Sequence, residues 1–151
     1  MSTSNVITAV VASADKSILK ARMTGTASVA QNAPLPLSVI DVSIGSDVTS
    51  DGAGTFTLKA GKTYRLKGYS RHDNGVTNAN AVWHNVTDST NFPTVTVMPA
   101  ANFNGGFSLN NVAEEFITTT VDTQVQFRFS SSGTTTVSGG AGGSYVVIET
   151  V

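Results

Sequence analysis

The chain has 151 residues, enough for one domain with its own core and little room for a second. Only 13% of residues are charged, about half the usual globular share, and nine Lys plus Arg against ten Asp plus Glu leave a formal net charge of −1; with no field to gather phosphates, nucleic acid is excluded as a main partner. Cysteine is absent, which removes disulfides, thiolate nucleophiles and thiolate metal sites together.

The first stretch, "MSTSNVITAVVASADKSILK", has no basic segment before its short apolar run. No run in the chain approaches the roughly 18 apolar residues of a membrane span, so no membrane partner is expected and synthesis is expected in the cytoplasm. Ile7, Val10, Val11, Ala14 and Ile18 follow helical spacing, whereas Val6, Thr8 and Val10 alternate as a strand would. Both readings stay open, with Gly25 as a break. "QNAPLPLS" then carries Pro34 and Pro36, which force extended backbone and deny two donors. Residues 1–35 therefore read as an arm and linker, and residues 36–151 as the domain proper.

In "SVIDVSIGSDVT", Ile40, Val42 and Ile44 alternate with Asp41 and Ser43, the period of a half-buried strand. "TFTLKAGKTYRLKGY" (55–69) is strand, tight turn, strand, with Phe56, Leu58, Tyr64 and Leu66 inward and Lys59, Arg65 and Lys67 outward. After the polar turn "SRHDNG" come "NANAVWHNVTDS", then "FPTVTVMP" with Val95 and Val97 alternating against threonines. "EEFITTTVDTQVQFRFSS" follows, in which Val125, Phe127 and Phe129 alternate with Gln124, Gln126 and Arg128, and "TTTVSGGAGGSYVVIETV" closes the chain. Short strands separated by Gly, Asn, Ser and Asp predict an all-β antiparallel sandwich or barrel.

The residues that carry chemistry are few. His72 and His84 are the only histidines. His72 and Asp73 could join a serine on paper, but no "GxSxG" elbow exposes a nucleophile, and the pair reads as turn residues. Glu114 and Glu115 are adjacent, so on a strand they face opposite sides and form no carboxylate dyad. "SGGAGGS" lacks the Lys-Ser/Thr of a phosphate cradle and reads as a flexible turn. Lys59, Lys62, Arg65, Lys67 and Arg71 form the one basic cluster, read as a solvated face or one that meets an acidic partner. No enzyme activity, metal or cofactor is expected. Trp83, His84 and Asn85 are the candidates for holding a sugar, weighed against a buried ring beside an exposed neighbour.

Taken in order, Gly61 with Tyr64 and Leu66, then Ala113, Phe116, Ile117 and Thr119, then Val125 to Phe129, and finally Ser144, Tyr145, Ile148 and Glu149 resemble the strand motifs of the C1q/TNF-like jelly-roll family over residues 36–151. The resemblance implies a jelly-roll β-sandwich assembled as a homotrimer, with one sheet of each subunit on the threefold axis. It places Tyr69, Tyr145 and Val147 at the contact between subunits, with Phe127 and Phe129 either joining them or facing the core. A Thr-, Ser-, Asn- and Gly-rich chain of this kind without cysteine looks most like bacteriophage virion proteins, found on the capsid surface as decoration proteins and head fibres or at tail-fibre tips. No collagen-like repeat or coiled-coil shaft precedes the domain, which leaves a compact knob binding the major capsid protein lattice. Val6, Ile7, Val10, Val11, Ile18, Pro34 and Pro36 then make up the arm that would reach a capsid subunit. The alternative is a receptor-binding tip that recognises host glycan.

Overall fold

The computed structural model describes residues 16–73, 80–96, 108–130, 133–140 and 142–151. Twelve strands occur among the described residues. They are β1 (Ile18–Arg22), β2 (Ala27–Ala30), β3 (Val39–Ile44), β4 (Val48–Ser50), β5 (Thr55–Leu58), β6 (Thr63–Asp73), β7 (Ala81–Asn85), β8 (Thr90–Thr96), β9 (Ser108–Thr118), β10 (Thr123–Phe129), β11 (Thr134–Val137) and β12 (Tyr145–Thr150). A seven-stranded sheet runs β2-β11-β6-β12-β1-β3 with β9 on the other side of β6, and a five-stranded sheet runs β4-β5-β10-β7-β8. Neighbours pair antiparallel throughout, and the two sheets close face to face as a jelly-roll sandwich.

The period-two pattern drives this arrangement, because each strand turns one apolar row inward. From the seven-stranded sheet come Leu19, Ala21, Tyr64, Leu66, Ala113, Val146 and Ile148; from the other come Phe56, Leu58, Trp83, Val125, Phe127 and Phe129. All are buried. The sheets approach closely where β6 carries Gly68, since a Cβ there would meet the Phe127 ring. The hairpin read from residues 55–69 is present, with Phe56, Leu58, Tyr64 and Leu66 all inward.

Three expectations for the first part of the chain are corrected. The arm expected over residues 1–35 gives way to sheet from Ile18 onward, since β1 pairs β12 on one side and β3 on the other while β2 pairs β11. Ile18, the last position of the helical spacing, is a strand residue, because its partners are Glu149 and Ile44 and not its own neighbours in sequence. Val6, Ile7, Val10 and Val11 lie outside the described residues. The Pro34 and Pro36 segment is no linker: the Leu35 N–H donates to Phe127 O at 2.9 Å and Asn32 N–H to Phe129 O at 2.7 Å, so it runs along the β10 edge beyond β5. Leu35, between the prolines, and Leu37, just after them, drop into the core, and the prolines lack only donors that this edge does not need.

β3 is an edge strand, and its register shifts opposite Lys20 and Ala21, so Asp41 falls at a bulge and the regular alternation of Ile40, Val42 and Ile44 is broken. "SRHDNG" is strand through Asp73, and His72 is buried, its Nε2 2.9 Å from Ser70 Oγ and its Nδ1 3.3 Å from Thr135 Oγ1. "SGGAGGS" owes its glycines to contact, because a Cβ at Gly139 would strike the backbone of Gly25 and one at Gly143 the backbone of Gly139.

Candidate functional site: the outer face of the seven-stranded sheet

The same alternation that buries one row exposes the next, and the register lines these outward residues up in three rungs. Phe116, Arg65, Glu149, Ile18 and Ile44 form the first; Glu114, Lys67, Val147, Lys20 and Val42 the second; Val112, Tyr69, Tyr145, Arg22 and Val39 the third. Apolar and aromatic side chains thus share each rung with charges. Phe116 is 58% exposed, Ile44 56% and Val112 48%, and Tyr69 and Tyr145 are half-buried. Among the described residues the opposite sheet turns Thr49, Thr57, Gln124, Gln126 and His84 outward, with Val82 buried beside them, so the large exposed apolar groups described gather on the seven-stranded sheet.

Two interactions stiffen the face. Arg65 is held from both sides, Nη2 donating to Glu114 Oε2 at 2.9 Å and Nη1 to Glu149 Oε1 at 3.1 Å. The Arg65 hydrogen bond holds the Glu114 carboxyl below its ordinary range, and the same bond raises Arg65. Tyr69 and Tyr145 stack with centroids 5.1 Å apart and planes 23° from parallel, and Lys20 Nζ stands 5.3 Å from the centre of the Tyr145 ring. The basic cluster read from sequence is therefore largely paired. Arg65 has two carboxylates, Lys59 meets Asp122 at 3.5 Å, and Lys62 meets Asp47 at 2.5 Å.

Tyr69, Tyr145 and Val147, the residues expected between subunits, come together on this outer face, whereas Phe127 and Phe129 do not. Both phenylalanines sit on β10 of the other sheet and point into the core, because their parity is that of Val125. Phe116 and Val112 are face residues that local reading missed. Their signal was the outward parity of β9 opposite Arg65 and Tyr69, legible only once the register was known. The glycan set is also corrected. Trp83 is fully buried, tilted on Phe127 at 5.2 Å with its Nε1–H donating to Ala113 O at 3.4 Å. Asn85 is buried in a turn with Asp88, and of the three only His84 reaches the surface, where its Nδ1 lies 2.7 Å from Asn91 Oδ1.

The antiparallel two-sheet topology is that of a TNF/C1q-like jelly roll. No protein-family model and no curated protein matches the sequence. Among solved structures the chain is similar to the Eiger TNF from S. frugiperda, at TM-score 0.72 and 8% identity over 90% of this chain and 91% of that one. It is also similar to the globular domain of the zebrafish complement 1qA protein, at TM-score 0.63 and 11% identity over 89% and 95%. A third similar structure is the PRD1 vertex protein P5, at TM-score 0.53 and 17% identity over 89% and 95%.

Proposed function

We propose that this chain is a structural protein of a bacteriophage particle, a homotrimer that binds and stabilises the capsid surface as a decoration or cement protein. The observation that carries the reading is the contrast between the two outer faces: Phe116, Val112, Ile44, Val147 and the Tyr69–Tyr145 stack are gathered on one sheet, while the described outward residues of the other are mostly polar. A soluble protein gains by covering such a face, and a second and third copy of the same chain would cover it symmetrically. The fold likeness to a phage vertex protein supports the virion setting, as does the neutral, weakly charged composition.

A cement protein needs no catalytic group. It must hold a repetitive lattice, and three copies of a modest contact convert weak affinity into avidity. With Ile18, Pro34 and Pro36 fixed in the sandwich, the part of the arm left to reach the major capsid protein is the segment before residue 16. The receptor-tip reading loses its aromatic platform with Trp83 buried.

Two measurements test the proposal: the solution mass of the purified protein by light scattering, and its binding to capsids stripped of accessory proteins. A stable trimer that saturates such capsids supports the reading. A monomer removes the contact-face argument, and a trimer that ignores capsids but binds host cells moves the role to receptor recognition.

A further inference from the structure

Arg128 is the only Lys, Arg, Asp or Glu in the five strands β4, β5, β7, β8 and β10. It points to the outer face of that sheet, half-buried, with Pro34 and Val82 as its register neighbours on either side of β10. A relay fixes its guanidinium. Arg128 Nε donates to Gln126 Oε1 at 2.7 Å, and Gln126 Nε2 donates to Thr55 Oγ1 at 2.8 Å. The two terminal nitrogens have no acceptor among the described residues, and neither is sealed from solvent. Lys20, Arg22, Lys59, Lys62 and Arg65 each face a carboxylate, whereas Arg128 does not. Burial therefore lowers Arg128 from its ordinary value with no neighbouring charge to raise it again.

We propose that Arg128 makes the outer face of the five-stranded sheet a docking surface for an acidic segment of another protein, with an Asp or Glu side chain of that segment seated on the guanidinium. A partly desolvated cation without a counter-charge costs the isolated fold stability, and a carboxylate brought by a partner offsets that cost. The free edge of a guanidinium, already oriented by Gln126, matches a carboxylate with two parallel hydrogen bonds. With Arg128 as the one charge of these strands, the complement of the face is negative. An open sheet face does not enclose a small molecule, which favours a side chain presented by a protein surface. His84 and Asn91 continue the row of Thr55 and Gln126 and place further hydrogen-bonding groups beside that carboxylate. This sheet lies opposite the face assigned to self-association, so a homotrimer would present three copies of the contact. Only the identity of the partner, the capsid lattice protein, rests on the proposed function.

The test is a titration followed by amide and guanidinium chemical shifts, with capped hexaglutamate as the probe, hexaglutamine as its neutral match and hexathymidylate as a polyanion without carboxylates. Saturable millimolar binding of hexaglutamate, centred on Arg128, Gln126 and His84, is expected, with both controls at least about tenfold weaker. Arg128→Gln should weaken hexaglutamate by about tenfold, as loss of a charge-assisted pair implies, and Arg128→Lys, which keeps the charge without the fork, by about threefold. Lys59→Gln, a cation outside this sheet that is paired with Asp122, should leave binding unchanged. The wild type and Arg128→Gln are mixed in parallel with capsids stripped of accessory proteins, where the variant should bind more weakly at unchanged solution mass. A protein that takes hexaglutamate through Arg128 but ignores capsids supports the docking surface and counts against the capsid reading, so the two failures are told apart. Absence of saturable hexaglutamate binding, equal binding of either control, or indifference to both Arg128 substitutions in variants whose spectra remain those of the folded protein would overturn the proposal.

Discussion

Gly68 on β6 lies beneath the ring of Phe127 on β10, so close that a methyl group at position 68 would sit 2.6 Å from Cε2 and 2.7 Å from Cζ. The missing side chain lets the two sheets close at their centre. Gly68→Ala should therefore destabilise the protein by about 1–3 kcal/mol, the usual cost of overpacking. Urea unfolding measures it, and Phe127→Leu in the same chain should restore part of the loss, because the two positions share one volume.

Trp83→Ala tests the correction of the glycan set. Removing a ring that is fully buried against Phe127 should cost about 3–5 kcal/mol of stability. A variant that keeps its unfolding midpoint would contradict the burial described above.

Substitutions on the outer face should act in the opposite way. Val147→Glu and Phe116→Asp place charge on rungs that are already outward, so the isolated fold should survive with unchanged far-ultraviolet dichroism while the mass falls from trimer to monomer. The same changes at Thr57 or Gln124, on the polar sheet, should leave the mass unchanged.

The Arg65 bridge predicts an acid limit. Glu114 is held below its ordinary 4.5 in the folded protein, so it binds fewer protons when folded than when unfolded. Its stabilisation is complete above that ordinary value and is lost as pH falls through the lower, folded one. Asp47, lowered first by its hydrogen bond from Lys62 and then by that from Ser17, contributes in the same direction below 3.8. Unfolding midpoints measured from pH 6 down to pH 2 should fall across this window, and Glu114→Gln should flatten part of the slope and leave the part that Asp47 and Asp51, both also lowered, supply.

Deletion separates the arm from the sheet. A chain starting at residue 16 keeps every described strand, whereas one starting at residue 36 lacks β1, β2 and the buried Leu35. The shorter chain should fail to fold, read by loss of the cooperative thermal transition, and only the longer one can report on capsid contact.

The strands with clean alternation were legible. The 55–69 hairpin, β10 and β12 each keep one apolar parity from end to end, so both element and inward face follow from the sequence. β1 was not, since Leu19 and Ala21 make a short inward row whose partners on β12 lie at the far end of the chain. The Pro34 and Pro36 segment misled because proline forbids donation, yet here it lies along one strand edge where Leu35 supplies the needed N–H. The outer face was half legible. Tyr69 and Tyr145 follow from the resemblance together with strand parity, but the pairing of Arg65 with Glu114 and Glu149 joins strands that no local pattern connects. Trp83 could be placed only by its partner across the ladder, Phe127.

Ser17 and Thr150 are joined by two hydrogen bonds, the Thr150 N–H donating to Ser17 O at 2.9 Å and the Ser17 N–H to the Thr150 side-chain Oγ1 at 2.9 Å. The strand that opens the described fold and the strand that closes it are thus clasped at the same end of the sandwich. A short peptide could bridge them, so a circularly permuted version with new termini in the surface turn around Ala60 should keep the same sheets. Cargo fused before residue 16 or after residue 151 would leave from one pole, and a threefold assembly would carry six attachment points there, all on the same side.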